Sequence, residues 1–463
     1  MAALHQLNAF ELSAAYAARR LSPKEVTQAL IDHISQWEPH ICALWQHEPE
    51  QALAQAEVAE ARWARGTPAS PLDGVPVTLK ENIATRGVPV PLGCAATELQ
   101  PAAEDAPPAA RLREAGAVFL GKTTMPDWGM LSSGLSSFHK LARNPWNLAK
   151  NPGGSSAGAG AAAAAGYGPI HLGTDIGGSI RLPAHWCGVV GFKPSLGRVP
   201  IKPPYAGRVA GPMTRSVTDA AWAMSVLSRP DWRDAMSLPA QPIDWLALAR
   251  DARGLRIGLW LDASWGDALL PEVRAAVEAA AAAFERAGAT VVPIAPVGTR
   301  AMVDGLDRFW RMRSWLDYRA LPPERQALVL PYIRHWIASG ERLSGEEVFT
   351  GYSQMGALRD AAVAALQGLD ALISPVSPDV SFAAEQASPR NDSERPFEHI
   401  AYTVPFNFSE QPAISVPAAM SSDGLPIGLQ IVGHRHDDLG VLRVARLWEQ
   451  LRGPLPAGPT LPR

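Results

Sequence analysis

The chain has 463 residues, 47% hydrophobic and 19% charged, a globular balance with ample material for a large core. Its net charge is −3 and its 42 Lys and Arg residues form no basic run, so nothing steers it towards nucleic acid or an anionic membrane. Three cysteines (Cys42, Cys94, Cys187) have no metal-ligand spacing and suit a reducing compartment.

The first twenty residues lack a positive segment followed by an apolar one, and no window approaches ~18 strongly apolar residues. A soluble cytoplasmic protein is therefore expected. Asn8 is an N-cap signal for a helix over 8–20. Ser22-Pro23-Lys24-Glu25 is a capping box with Pro in the first helical position, which predicts a second helix to about Trp37, before Pro39. A third covers roughly 49–65.

At Pro71 the texture changes. Val75, Val77 and Leu79 alternate, predicting a strand with Lys80 at or just past its end. Open α/β sheets bind ligands beyond the C-terminal ends of strands, although a solvated lysine closing a strand is the plainer reading of this segment alone. A helix over 108–115, stopped by Gly116, precedes a strand over 117–120. Gly116 to Thr123 satisfies G-x-x-x-x-G-K-T. A phosphate loop needs its glycines in a loop after a strand and its Lys-Thr opening a helix. Here the strand lies between the glycines and Met125-Pro126 follows at once, so no nucleotide site is expected.

Residues 151–195 hold two Gly-Gly-Ser triplets, 153–155 and 177–179, with their serines 24 residues apart. An alanine-rich run of helical length separates them. Residues 154–158 satisfy G-x-S-x-G, which would make Ser156 the nucleophile on a strand-to-helix elbow. The preceding 144–152 is rich in Asn and Pro and unsuited to a central strand, so the elbow fails its context.

A helix is predicted over 220–227 and an irregular surface excursion over 228–250. Strand 255–259, helix 271–287 and strand 290–294 alternate as in a sheet with a substantial parallel part. Residues 300–360 are helical and carry Phe309, Trp310, Trp315, Tyr318, Tyr332, Trp336, Phe349 and Tyr352. Most of these aromatics should fill the core of a helical layer, with a few lining an apolar cleft. Strands over 371–374, 413–416 and 427–432 and a helix over 439–451 complete the chain. His434 and His436 beside Asp437 read as a polar turn, and no metal is expected.

Several stretches together carry a resemblance: GVPVTLKEN (74–82), GKTTMP (121–126), ARNPWN (142–147), the block 151–195, GPMTRSVTDAA (211–221) and NFSEQPAISVPAAMSSDGLPIGLQIVG (407–433). On these the chain resembles the amidase signature family. The resemblance implies one large α/β domain over 1–463, a central twisted mixed β-sheet covered by helices on both faces. Within it fall N-terminal helices (1–66), a catalytic core (71–230) and the aromatic segment (300–360) near the cleft. It implies Ser179 as nucleophile, Ser155 as a bridging serine with a cis peptide, and Lys80 as base. Ile176, Gly177, Gly178 and Ser179 would form the oxyanion hole, supported by Ser156, Asp175 and Arg181. Glu81, Ala157, Gly160 and Trp186 depart from the usual pattern without removing a catalytic atom.

The implied chemistry is intelligible. A serine hydroxyl needs a base to take its proton, and lysine serves only when desolvation keeps it neutral. Backbone N–H groups near Ser179 could stabilise a developing oxyanion. An amidohydrolase without cofactor is expected, acting on small-molecule amides or carbamates with an apolar or aryl group. Trp128, Gly129, Met130, Leu131 and Trp186 are its candidate pocket, and a monomer or homodimer its expected state. The rivals are a glutamine amidase subunit of a tRNA-dependent amidotransferase, an esterase of similar mechanism, and a non-catalytic binding module.

Overall fold

Among the described residues, 3–456 and 458–461, the computed structural model holds one sheet of eleven strands. The outermost two residues at each end of the expected 1–463 span lie outside the described residues. In chain order the strands are β1 (Leu44–Gln46), β2 (Pro76–Lys80), β3 (Val118–Thr123), β4 (Ile170–Asp175), β5 (Val190–Lys193) and β6 (Val209–Thr214). The second half supplies β7 (Arg256–Leu259), β8 (Thr290–Pro293), β9 (Ala371–Pro375), β10 (Ala413–Met420) and β11 (Pro426–Val432). Their spatial order is β1-β3-β2-β4-β6-β5-β10-β11-β9-β7-β8. β3, β2 and β4 run parallel on one side and β9, β7 and β8 on the other, while the strands between them pair antiparallel. This is the mixed α/β sheet expected, flanked by helices.

All five residues of β2 are buried, so both faces of that strand are covered. Lys80 therefore ends a central strand inside the protein, and the plainer reading of a solvated lysine fails. β3 runs on through Gly121, Lys122 and Thr123, which places the Gly-Lys-Thr triplet in a sheet ladder. Lys122 is buried there and donates to the carbonyl of Ile83 and, at 2.7 Å, to Thr85 Oγ1. Its ammonium has a structural use and no phosphate loop exists.

Three N-terminal helices form as expected, but the second, Pro23–Ile41, continues through Pro39. Val26, Leu30, Ile34, Trp37 and Ile41 form one buried stripe, and Ile41 anchors it beyond the proline. Helix Ala157–Ala165 is buried along nearly its whole length, which explains its composition. A Cβ on Gly158 would lie 2.2 Å from the Ala43 carbonyl oxygen, so only a small-residue helix can approach so closely.

The aromatic segment contains helices Arg300–Arg319, Pro331–Ile337 and Gly345–Ala364. Trp310 and Trp336 join a buried cluster, while Phe349 and Tyr352 are 72% and 51% exposed. The expected core role therefore does not extend to that pair, which lies on the solvent side of its helix.

Candidate active site

Lys80 is fully buried, and its Nζ donates to Ser155 Oγ at 2.8 Å and to Ser156 Oγ at 3.1 Å. Burial, and then the positive charge of Arg208, push its ammonium well below the ordinary lysine range, against smaller opposing pulls from Asp175 and Glu81. The Gly154–Ser155 peptide is cis. The turn that presents Ser155 is clamped by Asn151. Its Oδ1 accepts from the N–H of Gly153 (2.9 Å) and Gly134 (3.0 Å), and its Nδ2 donates to Ser133 Oγ (2.7 Å). Ser156 supports both serine segments. Its hydroxyl accepts from the Thr174 N–H at 3.2 Å and its own N–H donates to the Ser179 carbonyl at 3.1 Å.

Ser179 lies in the turn between β4 and helix Arg181–Cys187, a turn built around one carboxylate. Asp175 accepts from the N–H groups of Gly178 (2.8 Å) and Ile180 (3.0 Å), from both Nε and Nη2 of Arg181 (3.0 Å each), and from Asn407 (2.8 Å). Burial alone would raise its pKa, but the Arg181 guanidinium and these hydrogen bonds hold it below the usual carboxylate range. Arg181 also donates to the Thr403 carbonyl and to Gln430 Oε1, at 2.8 Å each. Of the four residues expected to form an oxyanion hole, Gly178 has already committed its N–H to Asp175. The N–H groups of Ile176, Gly177 and Ser179 have no hydrogen-bond partner among the described residues, and these three residues line a cavity of about 830 Å³.

That cavity is lined by Ser155, Ser179, Ile176, Gly177 and four of the expected pocket residues, Trp128, Gly129, Met130 and Leu131. Gly129 is pressed against the serine, since a Cβ there would sit 3.3 Å from Ser155 Oγ. Trp186 is a correction. It is wholly buried outside the cavity, packed edge-on against Phe382, and its indole Nε1 donates to the Asp379 carbonyl at 3.2 Å. Helix Arg181–Cys187 turns it into the core beneath Gly153 rather than towards a substrate. The aromatic segment does reach the cavity, through Trp310, Tyr332 and Trp336.

Sequence reasoning missed Asn151, Asn407 and Arg208. Asn151 and Asn407 lie inside stretches that carried the resemblance, but only their burial shows what they hold. Arg208 sits in an unremarkable Gly-Arg-Val and carried no signal.

A family model described as Amidase matches residues 25–442. The chain belongs to the amidase signature family. It is 33% identical to an acylamidase of Rhodococcus erythropolis, over 97% of this chain and 96% of that protein. It is also 36% identical to one subunit of the glutamyl-tRNA(Gln) amidotransferase of Myxococcus xanthus, over 96% of this chain and 97% of that one. Among solved structures, a bacterial aryl acylamidase of the same family superimposes with a TM-score of 0.86 at 30% identity, over 97% of this chain and 96% of the other. The protein is thus an amidohydrolase of this family. Among its described residues no helix is long and apolar enough to cross a membrane.

Proposed function

We propose that this amidase hydrolyses carboxamides bearing an apolar or aryl group through an acyl-enzyme on Ser179. The observation that carries the reading is the desolvated Lys80 Nζ, 2.8 Å from Ser155 Oγ, beside a cavity that Ser179 also lines. Neutral Lys80 takes the Ser155 proton as Ser155 takes that of Ser179, and Ser179 Oγ bonds to the carbonyl carbon. The free N–H groups of Ile176, Gly177 and Ser179 are the donors available for the oxyanion. The proton on Lys80 then returns through Ser155 to the amine nitrogen as the C–N bond breaks. Water attacks the ester by the same relay, releases the acid and restores the Ser179 proton.

The aryl preference is supported by Trp128, Met130, Trp310, Trp336 and Phe397 along the cavity wall. Carbamates fit the same chemistry. The similarity to amidotransferase subunits supports a second reading, a glutaminase that works only beside partner subunits. One preparation assayed against anilides, short aliphatic amides, aryl carbamates and glutamine separates these readings. Anilides should exceed aliphatic amides in kcat/KM by about tenfold or more. Equal rates would overturn the aryl reading. Ser179→Ala should lower kcat by roughly a thousandfold or more, and intact hydrolysis in that variant would overturn the nucleophile.

A further inference from the structure

The wall of the cavity carries an excess of positive charge, which the reaction above uses only through the effect of Arg208 on Lys80. Arg208 and Arg313 both line it, and neither lies within ion-pair distance of a carboxylate among the described residues. Arg208 donates Nη1 to the Pro203 carbonyl at 2.9 Å, and Arg313 lies over the Tyr205 ring at 5.0 Å. The nearby acids are otherwise engaged. Asp175 is paired with Arg181 and Glu104 with Lys202, while Asp234 accepts from the N–H groups of Ile201 and Met236. Asp317, one helical turn beyond Arg313, is the remaining acid on this wall, so two guanidiniums stand against one carboxylate. The two arginines also repel each other. Burial first, and then the charge of Arg313, bring Arg208 down to about 10.

A half-buried guanidinium without an anion is costly to hold, and its planar fork matches a carboxylate in two parallel hydrogen bonds. We propose that the substrate amide carries a carboxylate, which Arg208 and Arg313 bind while the scissile carbonyl lies at Ser179. This rests on the placement of the reaction at Ser179 and goes beyond it in naming the substrate class. The apolar wall then receives the segment that separates the carboxylate from the amide.

Two matched pairs of substrates test this. In one, the acyl chain ends in a carboxylate or in a methyl group; in the other, the anilide ring bears a carboxylate or a methyl group. In the native enzyme the carboxylate member of at least one pair should have the higher kcat/KM, by about tenfold or more, the scale of a charge-assisted bidentate contact. That ratio should fall towards one in Arg208→Met and in Arg313→Met, and Arg208→Lys should keep part of it. Because each ratio is taken within one protein, general damage to a variant cancels. Ratios of one or less in both native pairs would overturn the proposal, as would ratios untouched by either Met substitution. Calorimetry on Ser179→Ala, which needs no turnover, should show the same preference in binding. A wrong nucleophile would leave hydrolysis in that variant, whereas a wrong subsite would abolish the binding difference.

Discussion

Lys80 shows how far one residue's role depends on its surroundings. Only its neutral form can accept a proton, so activity should rise with pH through its native pKa. The plateau should be reached well below the ordinary lysine value of 10.5. A rate that falls from pH 7 to 9 in stable enzyme would contradict a lysine base. Between that lowered value and 10.5 the unfolded chain holds a proton that the native state has released. Native stability therefore rises with pH across this window. Lys80→Met should weaken that dependence in denaturation measured at several pH values, leaving the part contributed by Lys122 and Lys193, both brought down to about 7. Asp175 has a linkage of the same sign in a more acidic window. Its native pKa lies below the ordinary 3.8, so its stabilisation is present at neutral pH and is lost as pH falls through the lowered value. Asp175→Asn leaves Arg181 buried without its anion and should cost about 3–5 kcal/mol in denaturant unfolding. An unchanged midpoint would mean that the pair does not carry the turn.

At the scale of elements, the chemistry depends on close approach of turns and one small-residue helix. Gly129 has a φ of 69°, and a Cβ there would meet Met125 Cε at 3.1 Å and Ser155 Oγ at 3.3 Å. Gly129→Ala should lower kcat for every amide tested while the fold survives, and steady-state kinetics beside circular dichroism would show it. Trp186 makes the reverse prediction. Its ring packs under the Gly153 turn, where a Cβ on Gly153 would lie 2.4 Å from the indole. Trp186→Ala should therefore cost about 3–5 kcal/mol of stability, with no selective loss of aryl over aliphatic substrates. Selective loss of aryl turnover would return Trp186 to the pocket. Both the alanine helix and the β2 strand were legible from composition and alternation. β4 and β6 were not delimited, because Gly173 in β4 and Gly211-Pro212 in β6 interrupt the pattern of apolar residues that marks β2.

Across the whole molecule, the cavity is assembled from distant parts of the chain: residues 82–92, 128–132, 174–179, 202–208, 310–336 and 387–400. The Arg181 guanidinium ties several of them, since it reaches Asp175 at the end of β4, Thr403 just before the short helix Pro405–Phe408, Asn407 within that helix, and Gln430 on β11. All of these lie within one chain. The purified chain should therefore hydrolyse anilides alone, at a rate unchanged by added cell extract. Activity that appears only with a second polypeptide would favour the amidotransferase reading.

The order of the local elements was readable from residue types and spacing, and the motifs that carry the family resemblance pointed to Lys80, Ser155, Ser179 and the reaction class. Turn chemistry, capping and glycine placement act over a few residues and leave their mark in the sequence. The environment of each group was decided only by the tertiary fold. Lys80 alone reads as a solvated strand end until β2 proves covered on both faces. Lys122, excluded as a phosphate ligand by its context, found its structural use only inside β3, and Trp186 left the pocket when its helix turned it inward. Arg208 acquired meaning only beside Arg313, 105 residues later in the chain. Desolvation and charge pairing depend on neighbours in space, and those neighbours come from segments that the linear sequence keeps apart.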